Sequence, residues 1–103
     1  MFFTNINICK SETKAVPAGG ALVGLLNQEC SEVFVRNIGS NPVLIYQIKA
    51  DGTGPEAGAF TLNAGQDFTF RGVTKGSDLS ASCASSSGST ITCRTQFYSF
   101  TLR

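Results

Sequence analysis

Histidine and tryptophan are absent from this chain of 103 residues. Without histidine, the Ser/His/Asp and Cys/His nucleophilic constellations cannot be assembled, and metal-assisted hydrolysis loses its commonest ligand. Without tryptophan, a sugar-stacking platform lacks its usual ring, and the eight Phe and two Tyr suit a core better. Charge is scarce as well: charged residues make up 15% of the chain, against roughly 25% in ordinary soluble domains. The net charge is +1, and the basic residues Lys10, Lys14, Arg36, Lys49, Arg71, Lys75, Arg94 and Arg103 are dispersed. That pattern offers no electrostatic footprint for nucleic acid. No apolar run reaches the roughly 18–20 residues of a membrane span. The opening Met1-Phe2-Phe3-Thr4-Asn5 has neither the basic nor the continuous apolar region of a signal peptide. The expectation is a chain made in the cytoplasm without an export signal, and with no membrane partner.

What chemistry remains is thin. The acidic residues Glu12, Glu29, Glu32, Asp51, Glu56, Asp67 and Asp78 each fall in a turn or on a polar strand face, where a solvated carboxylate is the ordinary reading, although two of them would suffice for a glycosidase pair. Gly19-Gly20 and Gly52-x-Gly54 do not lie between a strand and a helix, so neither is a phosphate cradle. The four cysteines, Cys9, Cys30, Cys83 and Cys93, contain no C-x-x-C pair and match no zinc module. Their even number permits two disulfides. Cys83 and Cys93 flank a loop and are the pair expected to be neighbours, with small buried free thiols the commoner outcome. The sequence therefore assigns no catalytic, cofactor or metal residue, no small-molecule substrate, and no enzyme activity.

What is present is strand pattern. Residues 2–9 alternate, with Phe2, Thr4, Ile6 and Ile8 on one face and Phe3, Asn5, Asn7 and Cys9 on the other. The polar stretch 10–14 reads as a loop. Residues 15–30, small and apolar with glycines and a proline, read as extended with room for a short turn of helix. Residues 32–37 and 43–49 read as a hairpin joined by Asn37-Ile38-Gly39-Ser40-Asn41-Pro42, whose Asn, Gly and Pro have the right turn chemistry. Apolar residues on both faces of these two strands predict cover on both sides. The Gly- and Pro-rich loop 50–58 is the expected exposed tip. Residues 59–62 and 66–71 read as a second hairpin around Asn63-Ala64-Gly65, with Phe68 and Phe70 facing in. A weak strand at 78–83, a Ser/Gly loop, and an alternating stretch from Thr90 to Leu102 complete the chain. Seven to eight short strands with regular turn signals and no helical period predict an all-β, single-domain antiparallel β-sandwich of jelly-roll type. Its body is 31–103, and 1–30 is a candidate attachment arm.

Two phrases carry a resemblance. Val35-x-Asn37-x-Gly39-Ser40-Asn41-Pro42-Val43-x-Ile45 and Phe60-x-Leu62-x-Ala64-Gly65-x-x-Phe68-x-Phe70-x-Gly72-Val73 resemble small β-sandwich virion proteins of tailed bacteriophages, of the capsid decoration or cement type. The resemblance covers 32–103. It implies a non-enzymatic protein on the virion surface, commonly a homotrimer, bound across subunits of the major capsid protein. Low charge and apolar ends agree with extensive protein contact. On this reading the partner surface is Phe2, Phe3 and Ile6 of the arm, Leu22, Val23, Leu25 and Leu26 of the following segment, and Pro55 and Glu56 of the loop. The competing expectation is a phage receptor- or carbohydrate-binding module whose loops 50–58 and 84–89 carry the site.

Overall fold

The computed structural model describes residues 10–54 and 58–97. The expectations for strand 2–9, for Cys9, for Pro55 and Glu56, and for the chain beyond Phe97 lie outside them. Among the described residues eight strands run in chain order: β1 Lys10–Val16, β2 Val23–Gly24, β3 Glu32–Asn37, β4 Val43–Tyr46, β5 Ala59–Leu62, β6 Asp67–Arg71, β7 Ser80–Ser82 and β8 Ser89–Gln96, with one 3-10 turn at Gly76–Asp78. They form two antiparallel sheets, ordered β1-β8-β3-β6 and β2-β7-β4-β5. The pairing is nested: first with last, second with seventh, third with sixth, fourth with fifth. One long folded hairpin has been rolled into a two-sheet jelly roll, the predicted architecture.

Three local expectations are corrected. Residues 10–14 are not a loop but most of β1, an edge strand paired along its whole length with β8. Neither predicted hairpin exists: β3 pairs with β6 and β8, while β4 pairs with β5 and β7. The links 38–42 and 63–66 carry the chain from one sheet to the other, and the true hairpin is β4–β5. The reason is physical. Alternation decides which side chains point inward, and Val33, Val35, Val43 and Ile45 do so here. Two consecutive strands give the same alternation whether they pair within a sheet or face each other across a core.

Asn37 steers the first crossing. Its buried amide donates to the Asn41 carbonyl (2.7 Å) and the Leu62 carbonyl (2.9 Å). Its Oδ1 accepts from the Gly39 N–H (3.0 Å) and the Ser89 hydroxyl (2.9 Å). One side chain thus ties both crossing links to the start of β8, with all four of its hydrogen-bonding positions used. The core between the sheets is aliphatic, built on Val16, Leu25, Val33, Val35, Val43, Ile45, Leu62, Leu79 and Ile91, with Cys30, Cys83 and Cys93 among them. Each fully buried aliphatic side chain contributes about 1.5–3 kcal/mol. The outer faces of β3 and β4 are only half-buried at Phe34, Leu44 and Tyr46, so the cover expected on both sides is partial. Over Phe34 lies the Arg94 guanidinium, 5.1 Å from the ring centre.

The described cysteines are free and buried; Cys83 and Cys93 are not joined. Burial pushes the Cys93 thiol up to about 11, and the Glu12 carboxylate beside it acts in the same direction. Burial raises Cys30 as well. A thiol-alkylating reagent near neutral pH is therefore expected to leave Cys30, Cys83 and Cys93 unmodified until the chain unfolds, as read by mass spectrometry. Because the folded-state value of Cys93 lies above the ordinary value of 9.0, the neutral thiol contributes its full share of stability below that pH. The share is lost as pH rises towards about 11. The urea midpoint should fall more steeply with pH across this window in the native chain than in Cys93→Ala.

Candidate interaction surfaces

A two-sheet sandwich has two open sides, each bounded by the edge strands of both sheets. On one side lie β1 and β2. There the side chains of Glu12 and Lys14 share the inward face of β1 with buried Val16, and they pair at 3.9 Å. Charged side chains directed inward at an edge discourage strand addition. On the other side lie β5 and β6, and their chemistry is different. Phe60 of β5 meets Phe68 and Phe70 of β6, with ring centres 4.5 and 5.7 Å away, and Phe68 and Phe70 are 4.9 Å apart. The three rings bridge the gap between the sheets. Phe70 is buried, but Phe60 and Phe68 remain 42% and 41% exposed, and with Ile38 they are the exposed large hydrophobic side chains among the described residues. The expectation that Phe68 is a core residue is thus corrected: it shares a face with Phe70 but sits where the sandwich opens.

The outer face beside this edge holds an ionic row. Glu32, buried although charged, lies directly across from Arg71 on one side and Gln96 on the other. Gln96 Nε2 donates to Glu32 Oε1. Arg71 Nε stands 3.3 Å from Oε2, an ion pair without hydrogen-bond alignment, which leaves Oε2 buried without a hydrogen bond.

At the end of the sandwich where the β4–β5 hairpin turns, a groove of about 690 Å³ runs between Gln47, Lys49, Thr53 and Gly54 on one wall and Gly72, Val73, Thr74, Asp78 and Leu79 on the other. A shallower depression of about 380 Å³ continues from it past Lys49 and Asp78 to Asp51, Lys75 and Ser77. Its polar groups are largely occupied with one another. Asp51 accepts from the N–H and hydroxyl of Thr53 (2.9 and 2.7 Å), which holds its carboxyl below the usual range. Thr74 donates to Asp78 (3.0 Å).

The residues expected to meet a partner are distributed unevenly. Leu25 lies in the core, Val23 and Leu26 pack against it, and Leu22 is half-buried. Val23, Leu25 and Leu26 thus serve the chain's own interior. Phe2, Phe3, Ile6, Pro55 and Glu56 are outside the described residues. The loops assigned to glycan binding do not converge. The described part of 50–58 borders the groove beside 72–79, whereas 84–89 sits at the opposite end, where Gly88 accepts from the Asn41 amide. The aromatic edge escaped the sequence reading because only strand order reveals that β5 and β6 are edges. The absence of charge from Ala59-Phe60-Thr61-Leu62 was the available signal.

No protein-family model and no curated protein matches the sequence. Solved structures do resemble the fold. A Cupin_2 domain of an XRE family transcriptional regulator from Enterobacter cloacae aligns at TM-score 0.53 and 17% identity over 95% of each chain. PirA aligns at TM-score 0.54 and 12% identity, over 84% of this chain and 92% of that one. A subunit of the Bacillus endospore appendages, described as a family of disulfide-linked pili, aligns at TM-score 0.50 and 16% identity, over 90% and 88%. At these identities the likeness is one of fold: a small all-β jelly roll.

Proposed function

We propose that this chain is a non-enzymatic structural subunit that acts by burying its surface in a larger protein assembly, in the form implied by the sequence resemblance: a decoration protein on the virion capsid of a tailed phage, seated on the major capsid protein. The observation that carries the reading is the aromatic edge. Phe60 and Phe68, two large rings at the open side of a charge-poor sandwich, are exposed in the lone chain and are the kind of side chain that dominates buried interface cores. A protein that binds only the assembled shell stabilises it by mass action. Depleting the chain from particles that carry it should lower their rupture temperature; an unchanged temperature refutes the decoration role.

A second reading is favoured by one specific finding, the shared fold with a pilus subunit. Here the assembly is a fibre of this chain. Electron microscopy of the purified full chain separates the two: filaments in the absence of any other protein support the fibre, and dispersed small particles support attachment to a separate shell.

A further inference from the structure

We infer that β6 is an interface for a second copy of this chain, the two β6 strands pairing antiparallel about a two-fold axis at Thr69. The inference rests on the strand's own geometry and holds whether the larger assembly is a shell or a fibre.

The first argument is backbone parity. Among the described residues β6 pairs with β3 alone. Flanking that ladder, the Asn37 N–H donates to the Gln66 carbonyl (2.9 Å) and the Gly72 N–H to the Ser31 carbonyl (3.0 Å). In an antiparallel ladder alternate residues face the partner strand. Residues 68 and 70 therefore spend their N–H and C=O groups on β3, and Asp67, Thr69 and Arg71 direct theirs to the open edge. An antiparallel pairing centred on Thr69 sets Thr69 against Thr69 of the partner subunit and Asp67 against Arg71 of the partner subunit. The outward-directed N–H and C=O of Thr69 then meet those of Thr69 of the partner subunit.

The second argument is charge. Asp67 and Arg71 stand two positions on either side of Thr69, so the two-fold brings opposite charges together twice, and directly opposed opposite charges stabilise a strand pair. The row extends further. Arg36 lies across from Asp67, and Glu32 across from Arg71. Across the axis the outer face reads Arg36, Asp67, Arg71 of the partner subunit, Glu32 of the partner subunit, alternating in sign. On the other face the same register sets Phe68 against Phe70 of the partner subunit, giving the exposed ring a cover. The remaining edges lack this combination. β1 carries no exposed large hydrophobic side chain, β2 spans two residues, and β5 has no charge to fix a register.

Light scattering and sedimentation of the full chain over a dilution series test the inference. A monomer–dimer equilibrium is expected. Thr69→Pro removes an N–H that β3 does not use, a position where an edge strand tolerates proline. It should raise the dimer dissociation constant about tenfold to a hundredfold with little change in the urea midpoint. Asp67→Lys, which sets like charges across the axis, should weaken the dimer too, and it decides the matter if the proline variant fails to fold. A chain that stays monomeric throughout, or an oligomer that folded Thr69→Pro and Asp67→Lys leave intact, overturns the inference.

Discussion

Replacing Asn37 with alanine is expected to remove about 2–4 kcal/mol of folding stability, read as a lowered urea midpoint with an unchanged slope. The size follows from what the side chain leaves behind. Its amide serves the Asn41 and Leu62 carbonyls, and its oxygen serves the Gly39 N–H and the Ser89 hydroxyl. Truncation orphans several of these at once in a site closed to solvent, where an unmade hydrogen bond costs the full desolvation of the abandoned group. Asn37→Asp is a sharper probe. It keeps the acceptor but turns the donor end into a carboxylate facing two carbonyl oxygens. That pairing raises the folded-state pKa of the new carboxyl above its unfolded value. The variant should thus be weakest at neutral pH and recover in part as pH falls and the carboxyl is protonated. A loss confined to Asn37→Ala, with Asn37→Asp as stable as the native chain at every pH, would show that Asn37 fills space rather than directing the crossing.

Gly76→Ala is expected to cost a similar amount, about 2–4 kcal/mol, for a different reason. Gly76 is buried in the 3-10 turn, and an added Cβ would overlap the Leu26 carbonyl oxygen and lie 2.9 Å from Thr95 Cγ2. Backbone cannot rotate away as a flexible side chain can. The Gly76 N–H also bonds the Gln28 carbonyl at 3.0 Å. Relief of the overlap therefore pulls the 25–28 segment off the core that Leu25 fills and Leu26 covers. Gly58→Ala is the control, because nothing lies within 4 Å of its added carbon; its effect should stay within about 0.5 kcal/mol. If both glycine variants unfold at the same urea concentration, the close approach at Gly76 is not a constraint on the fold.

Fold class was readable from the chain because a sandwich needs inward apolar side chains at alternate positions, and residues 32–48 and 59–71 supply them. Strand order was not readable. The turn residues Asn37, Gly39, Asn41 and Pro42 mark a reversal of direction, and a reversal serves a hairpin and a sheet-to-sheet crossing equally. The same ambiguity concealed the interaction edge. Phe68 and Phe70 have the same spacing and the same face. One is buried and the other open only because β6 borders the sandwich, a fact of topology that no local window contains. Edge strand β1 was misread for a related reason. Lys10, Glu12 and Lys14 look like a polar loop because the charges that guard an edge erase the apolar alternation of an interior strand. The apolar residues at 22–26 point towards a partner in the sequence, and the structure spends Val23, Leu25 and Leu26 on the core.

The most direct measurement of the central claim is the size of the native chain's assembly. Gradient sedimentation of material from its own source, followed by quantitative mass spectrometry across the fractions, places the chain either in a large particle or in free solution. The structural account predicts that the chain sediments with a high-molecular-mass protein assembly at a fixed stoichiometry. Recovery of the chain only as a free, small species would contradict it.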